Sequence, residues 1–406
     1  MMKKLLQINT VVNTTSTGRI AEDIGNIAMQ NGWESHIAFG RNEQKSNSTK
    51  IKIGNRYDFI WHGLATRLFD KHGFASKNAT KDLVRQIYNL QPDIIHLHNL
   101  HGYYLNIEVL FSFLAHMNIP VVWTLHDCWP FTGHCTHFSF INCNKWRTHC
   151  SHCPQKKEYP ASFFKDNSYN NFERKRQLFT LPKNMTLIPA SYWLEEILKE
   201  SFFKGYPMEV IHNGIDTDVF KPTKYDYIIN KLNLRNHFII LGVANIWINR
   251  KGMDDFIKLS EELSENDRII LVGLNKKQIK NLPANIIGLE RTESIAELAA
   301  LYSGANLFVN PTWEDNFPTT NLEAMACGTP VVTYKTGGSP ESITPETGFI
   351  IEQGDIKGLI QTIHSIKERG KEYYQEACRR RAVEHYNKKD KFKDYITLYN
   401  RILNWQ

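Results

Sequence analysis

An α/β fold of two doubly wound parallel domains is predicted by three observations. Short aliphatic and β-branched strands alternate with helical patterns in two separate series. Gly and Pro punctuation with thin apolar density separates the series at about residues 205–225. The chain has 406 residues, beyond the size at which one core usually splits.

The first series opens with LLQINTVV as a strand, a polar loop from Thr14 to Gly18, and a helix from Arg19 to Gln30. Strands at SHIAFG, DIIHLH and VVWTLH follow, with NIEVLFSFLAHM as a helix between the last two. HNGIDTDVFKP connects the series. The second series carries strands at FIILGVA, RIILVG, ANIIGL, NLFVNP and PVVTY, alternating with helices such as KGMDDFIKLSEEL and SIAELAALYSG. From about Lys371 to Leu403 the sequence is charged and helical, and no internal repeat or low-complexity tract interrupts it.

Composition bounds the partners. The chain is 42% hydrophobic and 22% charged, with a net charge of +7. Residues 1–200 hold 23 Lys and Arg against 16 Asp and Glu, while the remainder holds 26 of each. A basic first half suits an anionic acceptor or an anionic membrane face, as well as an ordinary solvated surface. No apolar run reaches the roughly 18 residues of a membrane span, and Gln7, Asn9 and Asn13 break the apolar start, which reads as a strand and not as a signal peptide. A cytoplasmic protein, peripheral at most to the inner membrane surface, is expected, with no nucleic-acid partner.

Two loops of the second series carry the chemistry. Arg250, Lys251 and Gly252 follow the strand FIILGVA and open a helix, so two cations and a helix N-terminus address one place, as a diphosphate requires. The stretch Asn310–Glu341 places Glu314, Asp315 and Glu323 between a strand end and the TGGSPE loop, whose Gly337 and Gly338 let backbone amides approach a phosphate. Ionised carboxylates accept hydrogen bonds from sugar and ribose hydroxyls. These residues belong where open α/β sheets bind ligands, outside the carboxyl ends of strands.

The order NGIDTDVFKP, NRKG and EDNFPTTNLEAMACGTPVVTYKTGGSPE resembles the donor-domain signature of glycosyltransferase family 4, and HLHN and VVWTLHDCWPFTGHC are similar to its bacterial exopolysaccharide, capsule and lipopolysaccharide members. The resemblance covers essentially the whole chain. It implies a GT-B fold of two Rossmann-like domains facing a central cleft. The acceptor-side domain would be 1–205, with a Cys-rich insert at about 128–155, the nucleotide-sugar donor domain 206–385, and the terminal helix 386–406 would cross back.

The resemblance also implies site residues. The family's paired acids map onto Glu323 and, eight residues before it, Asp315, with Glu314 one residue further out. Asn316 and Phe317 complete that donor loop, and Arg250 and Lys251 match the diphosphate-binding pair, without the additional arginine that the family often carries near Asn245. On the acceptor side the first loop keeps Thr17, Gly18 and Arg19 but only one glycine. His126, with Asp127 orienting its ring or capping the next turn, would contact the reacting sugar, and His98 and Asn99 are second candidates for the acceptor side.

Five of seven cysteines lie in one short window. Cys135, Cys143, Cys150 and Cys153 suit a structural tetrahedral zinc, and free thiols or disulfides are the alternatives. No catalytic metal is expected, because no paired-Asp signature ends a strand. The expected activity is a retaining transfer of a hexose from a nucleotide diphosphate sugar, UDP- or GDP-linked, to a saccharide, with a lipid-linked surface polysaccharide intermediate as acceptor. A sugar-nucleotide epimerase of the same fold and a noncatalytic sugar-nucleotide-binding protein are the competing readings.

Overall fold

The computed structural model describes residues 2–404. Met1, at the start of the expected first domain, and Trp405 and Gln406, at the end of the expected terminal helix, lie outside the described residues. The chain divides into two compact units, Met1–Ile211 with Phe392–Gln406, and His212–Lys391.

In the first unit the elements run β1 (Lys3–Asn9), α1 (Thr15–Gln30), β2 (Trp33–Phe39), β3 (Thr49–Lys52), α2 (Arg56–Phe69), α3 (Lys77–Leu90), β4 (Ile94–Leu97), α4 (Ile107–Leu114), β5 (Val121–Leu125), α5 (Ser168–Phe179), β6 (Met185–Pro189) and α6 (Tyr192–Glu200). The strands form one parallel sheet in the order β3-β2-β1-β4-β5-β6. Strand β4 is buried at all four positions and β5 at all five, as expected of strands covered on both faces by helices. Helix α1 starts at Thr15, earlier than the expected Arg19, because Asn13 N–H donates to the Gly18 carbonyl at 3.1 Å and closes the loop within five residues.

The second unit runs α7 (Asp226–Lys231), β7 (Phe238–Val243), α8 (Met253–Glu261), β8 (Asp267–Val272), α9 (Lys276–Lys280), β9 (Ile286–Leu289), α10 (Ile295–Gly304), β10 (Leu307–Asn310), α11 (Thr319–Ala326), β11 (Val331–Tyr334), β12 (Gly348–Ile351), α12 (Ile356–Arg369) and α13 (Glu372–Tyr386). Its parallel sheet has the order β12-β11-β10-β7-β8-β9, so the winding direction reverses between β7 and β10. Loops leaving adjacent strands on opposite sides of such a point part to form a ligand crevice.

The charged C-terminal segment is two helices, α13 and α14 (Lys388–Asn404). At the joint, Ile215 N–H donates to the Tyr386 carbonyl and Lys388 N–H to the Ile215 carbonyl, both at 2.8 Å, which takes two carbonyl and amide groups out of helical pairing. From Phe392 onward α14 packs in the first unit, with Tyr395, Ile396 and Tyr399 in one apolar cluster with Leu5, Ile24, Trp33 and Ile94. Among the described residues no helix is long and apolar enough to cross a membrane.

Buried histidines mark the first unit. His96 lies between the Tyr399 hydroxyl at 2.6 Å and Thr124 Oγ1 at 2.8 Å, and burial holds its pKa, and that of His98 and His72, well below 6.5. Burial lowers His62 to about 3 and His126 to about 4. In the unfolded chain these rings take up protons below about 6.5, whereas in the fold they stay neutral. The unfolded state therefore binds more protons, and stability falls as pH drops below about 6.5 toward the folded values. Urea midpoints should change little from pH 7.5 to about 6.5 and decline from there to pH 5; a flat profile down to pH 5 would contradict the neutral buried rings.

Candidate functional site

Three loops of the second unit meet at the carboxyl ends of adjacent strands. After β7 the chain reaches a short 3-10 turn at Asn249–Lys251, and Gly252 follows at φ +80°. A Cβ on Gly252 would lie 2.2 Å from the Pro311 carbonyl oxygen, so glycine is required both by the dihedral and by the approach of the loop after β10. Trp313 N–H donates to the Arg250 carbonyl at 2.8 Å and fastens the two loops together.

That contact brings Lys251 Nζ to 2.5 Å from Asp315 Oδ2, each side chain about a quarter exposed. Glu314, beside it, is buried, and its backbone is held by Thr312 Oγ1. The loop after β11 joins through Gly338 N–H, which donates to the Asn316 carbonyl at 2.8 Å, while Gly337 sits at φ +53°. Phe317 is buried with its ring 4.5 Å from that of His212, whose Nε2 is 2.8 Å from Glu341 Oε2.

Glu323 lies in the middle of α11 and accepts a 3.0 Å hydrogen bond from the Tyr302 hydroxyl of α10. Burial and the adjacent carboxylate raise the Tyr302 pKa well above its ordinary value, so the hydroxyl remains a donor. The first turn of α11 is anchored by Asn321, which accepts from Asn310 Nδ2 at 2.8 Å and donates to Ser339 Oγ at 2.9 Å. Sequence reasoning missed Tyr302 and Asn321; a Tyr on an otherwise apolar helix next to the LEAMACG helix was the available signal for the first.

In the first unit a hydrogen-bond chain fixes the tautomers at the strand ends. Gln7 Nε2 donates to the Ala21 carbonyl at 2.7 Å, which turns Oε1 toward His98 Nε2 at 2.9 Å. His98 therefore donates from Nε2 and accepts at Nδ1, 3.3 Å from His126 Nε2. The proton of neutral His126 is thus on Nε2, and its Nδ1 is an acceptor. The structure pairs Asp127 with His101, Nε2 to Oδ2 at 2.7 Å, and caps the next turn through Trp129 N–H to Oδ1 at 2.9 Å. Although burial opposes ionisation, the His101 partner holds Asp127 down at about 2. His101 was not anticipated, since nothing in its spacing marks a partner 26 residues away.

Gly18 is buried in the first turn of α1, where a Cβ would press on Val11 and the Asn13 amide nitrogen; Thr17 is half-buried and Arg19 exposed. The Asn99 carbonyl accepts from the Tyr104 hydroxyl at 2.8 Å and from Thr10 Oγ1 at 3.0 Å.

Among the described residues, no three His, Cys, Asp or Glu side chains are grouped so as to hold a metal ion, and all seven cysteines are free thiols. The structural zinc expected from Cys135, Cys143, Cys150 and Cys153 therefore finds no support here. Cys135 is in the core with Phe131, Phe138 and Trp146, and the other three pack against that cluster. The Cys135 thiol donates to Cys153, which lowers the Cys153 pKa, while burial raises Cys150 to about 11.

Comparison with known proteins follows the same two halves. The Glycosyltransferase Family 4 model matches residues 18–219, and the Glycosyl transferases group 1 model matches residues 237–368. WcaC of Escherichia coli (strain K12), named as a colanic acid biosynthesis glycosyl transferase, is 24% identical over 88% of this chain and 89% of its own length. Among solved structures, sucrose-phosphate synthase from Thermosynechococcus elongatus superposes with a TM-score of 0.72 at 16% identity, covering all of both chains. Anabaena Alr3699/HepE in complex with UDP-glucose gives 0.64 at 15% identity, over 99% of this chain and 98% of that one. These neighbours have the GT-B fold. On the strength of the two family matches and the two six-stranded sheets, the chain belongs to the family 4 glycosyltransferases.

Proposed function

We propose that this glycosyltransferase retains anomeric configuration and moves a hexose from a nucleotide diphosphate sugar to a saccharide acceptor, a lipid-linked intermediate of a surface polysaccharide made at the cytoplasmic side of the membrane. The observation that carries the donor assignment is the meeting of Arg250, Lys251, Asp315 and the Gly337-Gly338 loop at one sheet end. Alr3699/HepE is described in complex with UDP-glucose, and WcaC is named for colanic acid biosynthesis; both favour this substrate class. The basic excess of residues 1–200 favours an anionic or lipid-linked acceptor on the first unit.

In this reading Arg250 and Lys251 neutralise charge that grows on the diphosphate as the sugar C1–O bond breaks. Asp315 and Glu323 accept hydrogen bonds from sugar and ribose hydroxyls, Glu323 being held in place by Tyr302. Glu314, which is buried, belongs to the same donor loop, and Asn316, Phe317, Gly337 and Gly338 shape the same pocket. The acceptor hydroxyl attacks C1 on the face the diphosphate leaves, and its proton passes to the departing phosphate oxygen. His126, neutral at pH 7 because burial lowers it to about 4, offers Nδ1 as an uncharged acceptor to a sugar hydroxyl. Thr17, Gly18, Arg19, His98 and Asn99 belong to the acceptor side.

With a screened donor and acceptor pair, Lys251→Ala and Arg250→Ala should each lower turnover about 100-fold or more with the fold intact. Unchanged turnover, or conversion of the donor to its epimer without acceptor, would contradict the assignment. Nitrogen-15 spectra at pH 7 should show His126 as the neutral Nε2–H tautomer, and Gln7→Leu should disturb it; an imidazolium at that pH would refute the proposed role.

A further inference from the structure

Helix α2 presents an apolar stripe that nothing among the described residues of the first unit covers. Tyr57, Ile60, Trp61, Leu64 and Leu68 are exposed, Tyr57 at 81% and Trp61 at 62%, and their spacing of three and four residues aligns them on one side. The opposite side carries the buried His62, Ala65 and Thr66. A second segment extends the stripe: Phe163 N–H donates to the Arg67 carbonyl at 2.8 Å and Lys165 N–H to the Leu68 carbonyl at 3.3 Å, which sets Phe163 and Phe164 beside the last turn of α2. Phe164 is 73% exposed. Contiguous exposed aromatic and aliphatic surface of this kind marks an interaction site.

Cations surround the stripe. Arg56, Arg67, Lys71 and Lys165 are exposed, and Lys71 and Lys165 each place Nζ 5.9 Å from the Phe69 ring centroid. The neighbouring acids are engaged elsewhere: Asp58 accepts from Asn55 N–H at 2.9 Å in a capping box, Asp70 is buried against His134, and Asp166 accepts from Cys153 N–H and Ser168 N–H. Glu158 is exposed, with exposed Lys157 beside it in sequence.

We propose that α2 and the Ser162–Lys165 turn dock the protein on an anionic phospholipid bilayer. Trp and Tyr favour the headgroup level, and an amphipathic helix with a basic rim lies in that plane, held by apolar burial and by charge. A second copy of this chain fits less well, because facing stripes would bring two basic rims together. The proposal deepens the lipid-linked acceptor reading, since it would bring the enzyme to the surface where such an acceptor resides. Its test needs neither donor nor transfer, so the two can fail separately.

The full chain should float with phosphatidylcholine vesicles containing phosphatidylglycerol, less so as salt rises, and not with phosphatidylcholine alone. Trp61→Ser combined with Phe164→Ser should weaken that binding at least about tenfold. Arg67→Gln and Lys165→Gln should weaken it about fivefold each at low salt. Unfolding midpoints matching the parent chain would show that the variants fold. Equal flotation with neutral vesicles, binding that survives the aromatic pair of changes, or a Trp61-dependent dimer in place of vesicle binding would each overturn the proposal.

Discussion

The hydrogen bond from Trp313 N–H to the Arg250 carbonyl is the contact on which the candidate donor site depends. Parallel strands in register deliver their following loops to one end of a sheet, but they do not make those loops touch. Here Gly252 removes the side chain that would collide with Pro311, the backbone bond closes the remaining gap, and Lys251 and Asp315 become neighbours as a result. The third loop is tied in by Gly338 N–H to Asn316, again through backbone. Side-chain chemistry at this place thus rests on a main-chain scaffold, which positions groups more narrowly than long side chains can by themselves.

The first unit works by a different device. Its strand ends hold polar groups in a chain, Ala21 to Gln7 to His98 to His126, in which each hydrogen bond fixes the direction of the next. Burial keeps the rings neutral, so the chain has one consistent set of tautomers at neutral pH. The same burial makes the unit sensitive to acid. Asp127 is taken out of this chain by His101, and its second oxygen caps the Trp129 turn.

How much could be read from the sequence differed with the physics involved. The β-branched runs at β4, β5, β7, β8, β10 and β11 announced a buried parallel sheet, because strands covered on both faces must be continuously apolar. Arg250, Lys251 and the Glu314–Asp315 loop were expected at one sheet end from their place after strands, with Asp315 preferred only through the family resemblance, and the structure sets Lys251 beside Asp315 and ties the Arg250 backbone to the same loop. Helix α2 was not recognised, because FIWHGLATRLF carries apolar residues on both its buried and its exposed sides and so blurs the helical period. Tyr302 and His101 escaped for another reason: each matters through a partner distant in sequence, and spacing holds no information about such pairs. The cysteine window stayed ambiguous, since thiols that pack against Phe131, Phe138 and Trp146 and thiols that bind a metal read alike in sequence.

The central claim is that Lys251 meets the diphosphate while Asp315 meets the sugar, although the two are bonded to each other here. Calorimetric titration of the Asp315→Asn chain with the selected nucleoside diphosphate and with its sugar conjugate separates the two roles. The account predicts undiminished affinity for the nucleoside diphosphate and a loss of about tenfold for the conjugate, the value of one charged hydrogen bond. Equal loss for both ligands would show that Asp315 serves only to hold Lys251, and would contradict the assignment.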